Sequence, residues 1–336
     1  MKTTKIGING FGRIGRTLFR LLHDQPELQV VAINDLADAR TLSHLLKFDS
    51  IHGIFDAGID HGPAEIIVDG QKIRLTNHHS PESIDWSADE VDIVVECSGK
   101  FKTRDILEHH LKNGAKKVIL SAPPADDSLP MVVLGVNDHT LKASDDIISN
   151  ASCTTNNAAP MIKVIDELCG IEQAYITTVH SYTSDQSLHD QPHHDLRRAR
   201  AAAQSIIPTT TGAAKALTKI FPHLAHVIGG CGIRVPVPNG SLTDITFNVR
   251  KETTIDEVNT TFRKYSLNQL KNIILYTEYP IVSIDISNSY YSCTFDSGMT
   301  SVIGKMVKII GWYDNETGYS SRIVDLIKLL RHKKHI

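Results

Sequence analysis

Cysteines, tryptophans and long apolar runs are all scarce in this sequence. Among its 336 residues there are five cysteines and two tryptophans. The cysteines are odd in number and widely spaced, which argues against a disulfide framework, and no CxxC pair indicates a zinc site. No run approaches the roughly 18 apolar residues of a membrane span, and MKTTK leads directly into strand-like IGIN without the apolar region of a signal peptide. We therefore expect a soluble cytoplasmic protein that does not bind membranes.

A strong net charge is also absent. The formal net charge is −3, which argues against nucleic-acid binding and against a polybasic membrane anchor. An anionic substrate must then be held by a few local arginines. The sequence contains 17 histidines but no HExxH, and adjacent pairs such as His193-His194 do not share a helix face as metal ligands do. No metal site is predicted.

Hydrophobic residues, in contrast, make up 41% of the chain, enough for a large core, and roughly 150 residues per domain predict about two domains. In the first 150 residues, Val- and Ile-rich runs alternate with helical patterns, which indicates a parallel sheet covered on both faces. The predicted short strands are 5–9, 28–35, 91–99, 116–123, 131–136 and 146–152. Two further runs around Asp69-Gly70 predict an inserted hairpin.

The pattern changes after Cys153. Residues 161–168 have helical periodicity, and alternating runs predict strands at 173–183, 232–251, 280–287 and 306–315. We predict an α/β protein with a Rossmann-like doubly wound parallel sheet and a second, α+β catalytic domain with a mainly antiparallel sheet. The first domain is expected to cover 1–150 and to be completed by the C-terminal helix 316–336. The catalytic domain is expected to cover 151–315.

A glycine-rich loop follows the first predicted strand. Gly10, Gly12 and Gly15 form a GxGxxG that opens a helix, and Asp35 closes the next strand. The glycines allow a tight turn and close approach of a pyrophosphate, and the helix N-terminus supplies free N–H donors. Asp35 can accept hydrogen bonds from the adenosine ribose and repels a 2′-phosphate. The sequence therefore predicts an NAD site.

Cys153 is the candidate nucleophile. It follows the strand 146–152 and precedes a helical run, so Ser152 fits an N-cap and the helix dipole favours the Cys153 thiolate. His180 ends another predicted strand, where its imidazole can accept the thiol proton. Pro160 is expected to kink a helix that begins this early. From these residues alone, a buried structural cysteine stays the alternative for Cys153.

Six motifs together resemble the phosphorylating, type I glyceraldehyde-3-phosphate dehydrogenase family. They lie in the family's order, and the match extends from residue 5 to about 328. The motifs are INGFGRIGR (8–16), SNASCTTN (149–156), TTVHSYT (177–183), DLRRARAAAQSIIPTTTGAAKA (195–216), RVPVPNGSLTD (234–244) and WYDNETGYSSR (312–322). The resemblance implies NAD-dependent oxidation and phosphorylation of D-glyceraldehyde 3-phosphate to 1,3-bisphosphoglycerate.

The resemblance also implies residue roles. Cys153 resembles the nucleophile that forms a thiohemiacetal and then a thioester, and His180 resembles its base. Residues resembling ligands of the substrate phosphate and of inorganic phosphate are Ser152, Thr154, Thr183, Arg198, Thr211, Gly212 and Arg234. Residues resembling cofactor contacts are Gly10, Gly12, Arg13, Ile14, Gly15, Asp35, Ser121, Asn315 and Tyr319. Segment 184–204 resembles the S-loop, which lies beside a neighbouring subunit's cofactor, so a homotetramer is implied.

A few positions depart from the family pattern. His79 stands where members commonly carry a basic residue near the adenine, Gln191 stands before Pro192 where leucine is common, and Asn157 replaces a second cysteine. The first two leave the strictness of NAD over NADP open. Two alternatives also stay open: a sister enzyme acting on erythrose 4-phosphate, and a non-catalytic NAD-binding or moonlighting scaffold on the same fold.

Overall fold

The computed structural model describes residues 3–333, which fall into two compact units. The first unit contains the described residues up to Val132, then Thr140–Ala151 and the residues from Ser320 onward. The second contains Val133–His139 and Ser152–Tyr319. Across residues 3–333, no helix combines the length and the apolar character that a membrane crossing requires.

The first unit alternates strands and helices. Its strands are β1 (Thr4–Asn9), β2 (Leu28–Asn34), β3 (Phe48–Asp49), β4 (Gly53–Ile54), β5 (Ile59–Gly62), β6 (Glu65–Val68), β7 (Gln71–Thr76), β8 (Ile93–Glu96), β9 (Lys117–Leu120) and β10 (Ile147–Ser149). Its helices include α1 (Arg13–His23), α2 (Ala39–Lys47) and α3 (Arg104–Lys112). The predicted strands at 5–9, 28–35, 91–99, 116–123 and 146–152 are therefore confirmed.

The main sheet of this unit has the order β10-β9-β8-β1-β2-β7-β6-β5. Neighbours from β10 to β7 are parallel, and β6 and β5 extend the sheet antiparallel. Ile6, Ile8 and Val94 in its central strands are fully buried, as expected for a sheet covered on both faces. The predicted Rossmann-type parallel sheet is confirmed, and its central strand β1 leads into the glycine loop.

The inserted hairpin is present, with one difference from the prediction. Asp69 and Gly70 have φ of 47° and 80° and connect β6 to β7, the turn that favours this residue pair. β7 also pairs in parallel with β2, so the hairpin is continuous with the main sheet. Sequence periodicity does not report such long-range pairing.

The predicted strand at 131–136 is wrong. Met131 forms an isolated parallel bridge with Ser149. Beyond it, side chains take the backbone donors that a strand needs, because Val133 N–H donates to Asn137 Oδ1 at 2.7 Å and Gly135 N–H donates to Asp138 Oδ1 at 2.8 Å. Such local capture competes with sheet formation.

The longer segment of the second unit, Ser152–Tyr319, opens with the helix that carries Cys153. Its helices include α4 (Cys153–Cys169), α5 (Ala213–Ile220) and α6 (Ile255–Leu267). Its strands are β11 (Ile171–Ser181), β12 (Ile207–Thr209), β13 (Ile228–Val235), β14 (Ser241–Val249), β15 (Ile274–Thr277), β16 (Cys293–Asp296), β17 (Ser301–Ile303) and β18 (Met306–Tyr313). The helix α4 passes through Pro160 without ending there.

The sheet of the second unit has the order β12-β13-β11-β14-β18-β16-β15, with β17 beside β18. Most neighbours are antiparallel, and β11–β13 and β15–β16 are parallel. The predicted mainly antiparallel sheet is confirmed. The predicted strand at 280–287 is wrong, because Ser283–Ile286 forms a 3₁₀ turn in which Val282 N–H donates to Asp285 Oδ2 at 2.8 Å.

The last helix, α7 (Thr317–His332), follows β18. The helix has a buried apolar stripe, with Ile323, Leu326, Ile327 and Leu330 fully inaccessible. The helix was predicted to run over 316–336, and positions 334–336 lie outside the described residues.

Candidate active site

The N-terminus of α4 is built by Ser152 and Cys153. Ser152 has extended backbone angles and its hydroxyl accepts the N–H of Thr155 at 3.1 Å, so it is the N-cap. Cys153 is the first helical residue and is half-buried. The free N–H groups of a first helical turn favour negative charge at this point. The N-cap predicted from sequence is therefore present.

His180 lies against the Cys153 thiol. Its Nε2 is 3.5 Å from Cys153 Sγ, and its Nδ1 is 2.7 Å from the carbonyl oxygen of Ser181. Arg234 Nη1, which only donates, lies 2.9 Å from the same Nδ1, so Nδ1 has an acceptor and a donor beside it. In the tautomer that carries its hydrogen on Nδ1 and donates to the carbonyl, the Nε2 lone pair faces the sulfur. His180 is buried near the end of β11, and the parallel register of β11 and β13 pairs it with Arg234.

Burial governs the charges of this pair. Desolvation, together with the nearby Arg234 charge, lowers the pKa of His180 to about 3. Desolvation also raises the pKa of the Cys153 thiol, while the Arg234 charge opposes that rise. Burial thus favours the neutral form of both the imidazole and the thiol. The sequence-based expectation of a thiolate rests on the helix dipole, which acts in the direction opposite to this desolvation.

Two arginines make the surroundings of the thiol positive. Arg234 Nη1 donates to Ser181 O at 2.9 Å and lies 3.5 Å from Thr183 Oγ1. Desolvation lowers the pKa of Arg234, and the positive charge of Arg198 lowers it further. The two guanidinium groups therefore repel each other. An anion between such groups relieves their repulsion.

Arg198 is held by partners that sequence reasoning missed. Its Nε donates to Thr209 Oγ1 at 2.9 Å and its Nη1 donates to Asp185 Oδ2 at 2.7 Å. Burial alone would raise the pKa of Asp185. The hydrogen bond and the positive charge of Arg198 outweigh that effect and lower the pKa below its usual range. The acidic residue inside the polar segment 184–204 was visible in the sequence, but its pairing was not.

Thr211 and Gly212 open helix α5. Gly212 is the N-cap, and a Cβ placed on it meets no atom within 4 Å. Thr211 Oγ1 accepts the N–H of Ala213 at 3.2 Å. A helix start with open space beside it suits an anion.

Tyr313 is a buried residue of this site that was not predicted from the sequence. Its hydroxyl lies 2.9 Å from both Thr154 Oγ1 and Thr178 Oγ1. Thr154 follows Cys153 on α4, and Thr178 lies on β11 with His180, so the phenol connects the two elements. Its ring meets the His180 ring edge-on at 6.0 Å between centroids.

Asn315 is oriented by two serines of the second unit. Its Oδ1 accepts hydrogen bonds from Ser181 Oγ at 2.9 Å and from Ser241 Oγ at 3.2 Å. The amide therefore presents its NH₂ group as the donor. Tyr319 is buried in the first turn of α7.

In the first unit, the glycine loop leaves a cradle at the start of α1. A Cβ on Gly10 would lie 2.5 Å from Ser98 N, and one on Gly15 would lie 2.3 Å from the carbonyl oxygen of Gly10. Gly12 is the N-cap, has no side-chain cap, and meets nothing within 4 Å. Close backbone packing and an open helix start fit a pyrophosphate, so this loop fits the predicted NAD.

Charged side chains flank that loop. Asp35 Oδ2 accepts the Phe11 N–H at 2.7 Å and its Oδ1 accepts the Ala37 N–H at 3.0 Å, which fixes the carboxylate at the end of β2. The Arg13 guanidinium forms a two-pronged ion pair with Asp49. Its charge is thus largely compensated, so the donors that Arg13 and Ile14 would offer an anion at this helix start are chiefly their backbone N–H groups. Ser121 follows β9, and its N–H donates to Glu96 O at 3.0 Å.

Two family models match the chain. The model of the glyceraldehyde 3-phosphate dehydrogenase NAD-binding domain matches residues 4–104, and the model of the C-terminal domain of the same family matches residues 152–315.

Relatives along nearly the full length agree with these models. The chain is 51% identical over 327 residues to glyceraldehyde-3-phosphate dehydrogenase 2 of Streptomyces avermitilis, covering 96% of this chain and 97% of that protein. It is 50% identical over 331 residues to glyceraldehyde-3-phosphate dehydrogenase of Geobacillus stearothermophilus, covering 98% of each. Together with the parallel sheet and its glycine cradle, these matches establish that the chain belongs to the glyceraldehyde 3-phosphate dehydrogenase family and is an NAD-dependent dehydrogenase.

Proposed function

We propose that this enzyme oxidises and phosphorylates D-glyceraldehyde 3-phosphate to 1,3-bisphosphoglycerate, with Cys153 as nucleophile and His180 as base. The observation that carries the proposal is the 3.5 Å approach of His180 Nε2 to Cys153 Sγ at a helix N-terminus. A neutral imidazole with its hydrogen on Nδ1 is a competent base, because its Nε2 can take the thiol proton as sulfur attacks the aldehyde. The names of the relatives support the choice of substrate.

The residues around Cys153 suit each later step. Attack on the aldehyde carbon gives a thiohemiacetal whose oxyanion is stabilised by the Cys153 N–H and by protonated His180. NAD, when bound, accepts the hydride that leaves this carbon. The resulting thioester on Cys153 is then attacked by inorganic phosphate, which releases the acyl phosphate and returns the thiolate.

Two anions must be held near one sulfur in this reaction. Arg234 and Thr183 lie together, as do Arg198 and Thr209. We assign the substrate phosphate and inorganic phosphate to a group of hydroxyl, guanidinium and backbone donors: Ser152, Thr154, Thr183, Arg198, Thr211, Gly212 and Arg234. Their chemistry suits phosphate, since guanidinium groups and hydroxyls give charge-assisted hydrogen bonds to its oxygens.

The cofactor contacts that we propose follow the glycine loop and the strand ends. They are Gly10, Gly12, Arg13, Ile14, Gly15, Asp35 and Ser121, with Asn315 and Tyr319 assigned to the nicotinamide by the family resemblance. We propose the domain assignment on the same basis: an NAD-binding domain of 1–150 completed by helix 316–336, and a catalytic domain of 151–315. The glycine cradle and the matches to both family models support it.

One assay tests the proposed function. NADH absorbance is followed with glyceraldehyde 3-phosphate, NAD and inorganic phosphate, and each component is omitted in turn. Turnover that requires all three is expected. Faster turnover with erythrose 4-phosphate would instead assign the sister activity, and no turnover with either aldehyde would leave a non-catalytic NAD-binding scaffold.

A further inference from the structure

A row of polar side chains crosses the carboxyl edge of the parallel sheet. Asn9 is paired in register with Glu96 of β8 on one side and with Asn34 of β2 on the other, and Asn34 is paired with Thr76 of β7. Glu96, Asn9 and Asn34 are all buried. We call these four residues the edge ladder. Every member lies immediately before a loop at the edge where the glycine cradle opens.

The hydrogen bonds that join neighbouring members of the edge ladder all run toward Glu96. Asn9 Nδ2 donates to Glu96 Oε2 at 2.5 Å, and Asn34 Nδ2 donates to Asn9 Oδ1 at 2.9 Å. Thr76 Oγ1 then donates to Asn34 Oδ1 at 2.8 Å, and His78 N–H donates to the same oxygen at 2.8 Å. At the far end, His78 offers Asn34 both its N–H and its carbonyl oxygen, which accepts Asn34 Nδ2 at 3.0 Å. The near end is Glu96.

Glu96 has only donors around it. Its Oε1 accepts the Ser98 N–H at 2.7 Å and the Ser98 hydroxyl at 2.5 Å. Its Oε2 accepts Asn9 and lies 3.2 Å from His110 Nε2. Because Trp86 Nε1, which can only donate, approaches His110 Nδ1 at 2.9 Å, Nε2 carries the imidazole hydrogen. Four donors thus occupy the four acceptor sites of one carboxylate, which is acceptor-only in its ionised form.

This geometry points to a function for the edge ladder, and we propose that Glu96 is a positioning residue for NAD that sets the amide orientations of Asn9 and Asn34 and holds the glycine loop against Ser98. The proposal rests on the cofactor site assigned above. The contact it maintains is tight, because a Cβ on Gly10 would lie 2.5 Å from Ser98 N. A shift of either loop therefore displaces the other.

Replacing Glu96 by glutamine cannot satisfy the edge ladder. If the new NH₂ group faces Ser98, it opposes the Ser98 N–H, and the 97–99 loop must move away from it. If the NH₂ group faces Asn9, the Asn9 amide must turn, and Asn34 must then present a donor toward the His78 N–H. Either outcome leaves a buried donor facing a donor next to the glycine loop, which is costly in a low-dielectric interior.

The experiment measures NAD binding to Glu96→Gln by calorimetry, with an activity assay alongside. The dissociation constant for NAD is expected to rise about tenfold, the scale of losing one hydrogen bond to a charged group. At saturating NAD, kcat and the KM for the aldehyde are expected to stay within about twofold of wild type. The matched control is Asp92→Asn, because Asp92 is another buried carboxylate, directly before β8 at the opposite edge, where it accepts Lys5 N–H and pairs with Lys116.

The outcomes separate positioning from a general loss of stability. Unchanged NAD affinity in Glu96→Gln overturns the proposal, and so does an equal loss of affinity in Asp92→Asn. Asp35→Gly tests the cofactor site itself. If Asp35→Gly binds NAD as wild type does, the assigned site is wrong. If Asp35→Gly loses NAD affinity and Glu96→Gln does not, only the role of Glu96 is rejected.

If Glu96→Gln does not fold, Thr76→Val provides a second test, because it removes the hydroxyl donor at the far end of the edge ladder. The dissociation constant of Thr76→Val for NAD is expected to rise about twofold or more. No change in that variant overturns the proposal.

Discussion

The reactivity of Cys153 depends on a base that is close, neutral and correctly oriented. Cys153→Ser is expected to lose nearly all turnover, because a hydroxyl is a much poorer nucleophile at neutral pH. His180→Asn is expected to slow turnover by a factor on the order of 10² or more, since it removes the proton acceptor 3.5 Å from the sulfur. Steady-state rates at saturating substrates provide the measurement. Activity near that of wild type in either variant would contradict the assigned roles.

The burial of His180 also has a consequence for stability. Its folded pKa is lowered to about 3, whereas an unfolded histidine titrates near 6.5, so between these values the unfolded chain binds the extra proton. The stability contributed by the neutral form is therefore present at pH 7 and is lost as the pH falls below about 6.5. Lowering the pH from 7 to 5 is expected to destabilise wild type by about 2 kcal/mol more than His180→Asn.

Denaturant unfolding of both proteins at the two pH values, at equal protein concentration, checks this difference. The same pH dependence in both proteins would show that His180 is as easily protonated in the fold as in the unfolded chain.

Arg234 touches both His180 and the proposed phosphate ligands. Arg234→Leu removes a charge-assisted hydrogen bond worth roughly 1.5–3 kcal/mol. If Arg234 holds the substrate phosphate, kcat/KM should fall by about 10- to 100-fold for glyceraldehyde 3-phosphate and little for unphosphorylated glyceraldehyde. Comparison of the two aldehydes is the measurement. Equal losses on both would assign Arg234 to the orientation of His180, whose Nδ1 lies 2.9 Å from Nη1.

Single residues were predictable where one local signal was sufficient. Cys153 before a helix and His180 at a strand end were found from local pattern and motif, and the structure brings these two together. Tyr313 and Asp185 were missed, because each acts through a partner distant in the chain or across a loop. The rise in the pKa of the Cys153 thiol was also beyond the sequence, since it depends on desolvation in the folded chain.

At the scale of elements, the glycine loop offers a test in which stability and binding separate. A Cβ on Gly15 would lie 2.3 Å from Gly10 O, so Gly15→Ala is expected to lower the free energy of unfolding by several kcal/mol. Gly12 has ordinary backbone angles and open surroundings, so Gly12→Ala is expected to leave the free energy of unfolding unchanged. The added methyl narrows the cradle, and we therefore expect weaker NAD binding. Thermal unfolding and NAD calorimetry on both variants provide the check. Unchanged NAD affinity in Gly12→Ala would place the pyrophosphate elsewhere.

Strands and helices were predictable where the hydrophobic periodicity was strong and no nearby side chain accepted the backbone N–H groups that the element needs. The Val- and Ile-rich strands of the parallel sheet and the hairpin at Asp69-Gly70 were found. The apolar runs at 131–136 and 280–287 were misassigned, because Asn137, Asp138 and Asp285 take backbone donors from strand pairing. The short strands β15 and β16 were missed, since pairing partners rather than their own pattern define them.

At the scale of the whole molecule, the exposed surface of the second unit supports the homotetramer implied by the family resemblance. Leu188, Leu196 and Ile206 are 70%, 82% and 69% exposed in and directly after segment 184–204. Large apolar side chains grouped on one loop are typical of an interface. Sedimentation is therefore expected to give four times the 37.1 kDa chain mass.

A charge in that segment should disrupt the assembly. Leu196→Glu buries a carboxylate if Leu196 lies in an interface, and an unpaired buried charge costs several kcal/mol, enough to dissociate subunits at micromolar concentration. The matched control is Leu267→Glu, because Leu267 is 68% exposed at the end of α6 and outside segment 184–204. We expect smaller particles and weaker NAD binding for Leu196→Glu and an unchanged tetramer for Leu267→Glu, measured by sedimentation and calorimetry. A monomeric wild type, or a Leu196→Glu variant that remains tetrameric, would contradict the role proposed for this segment.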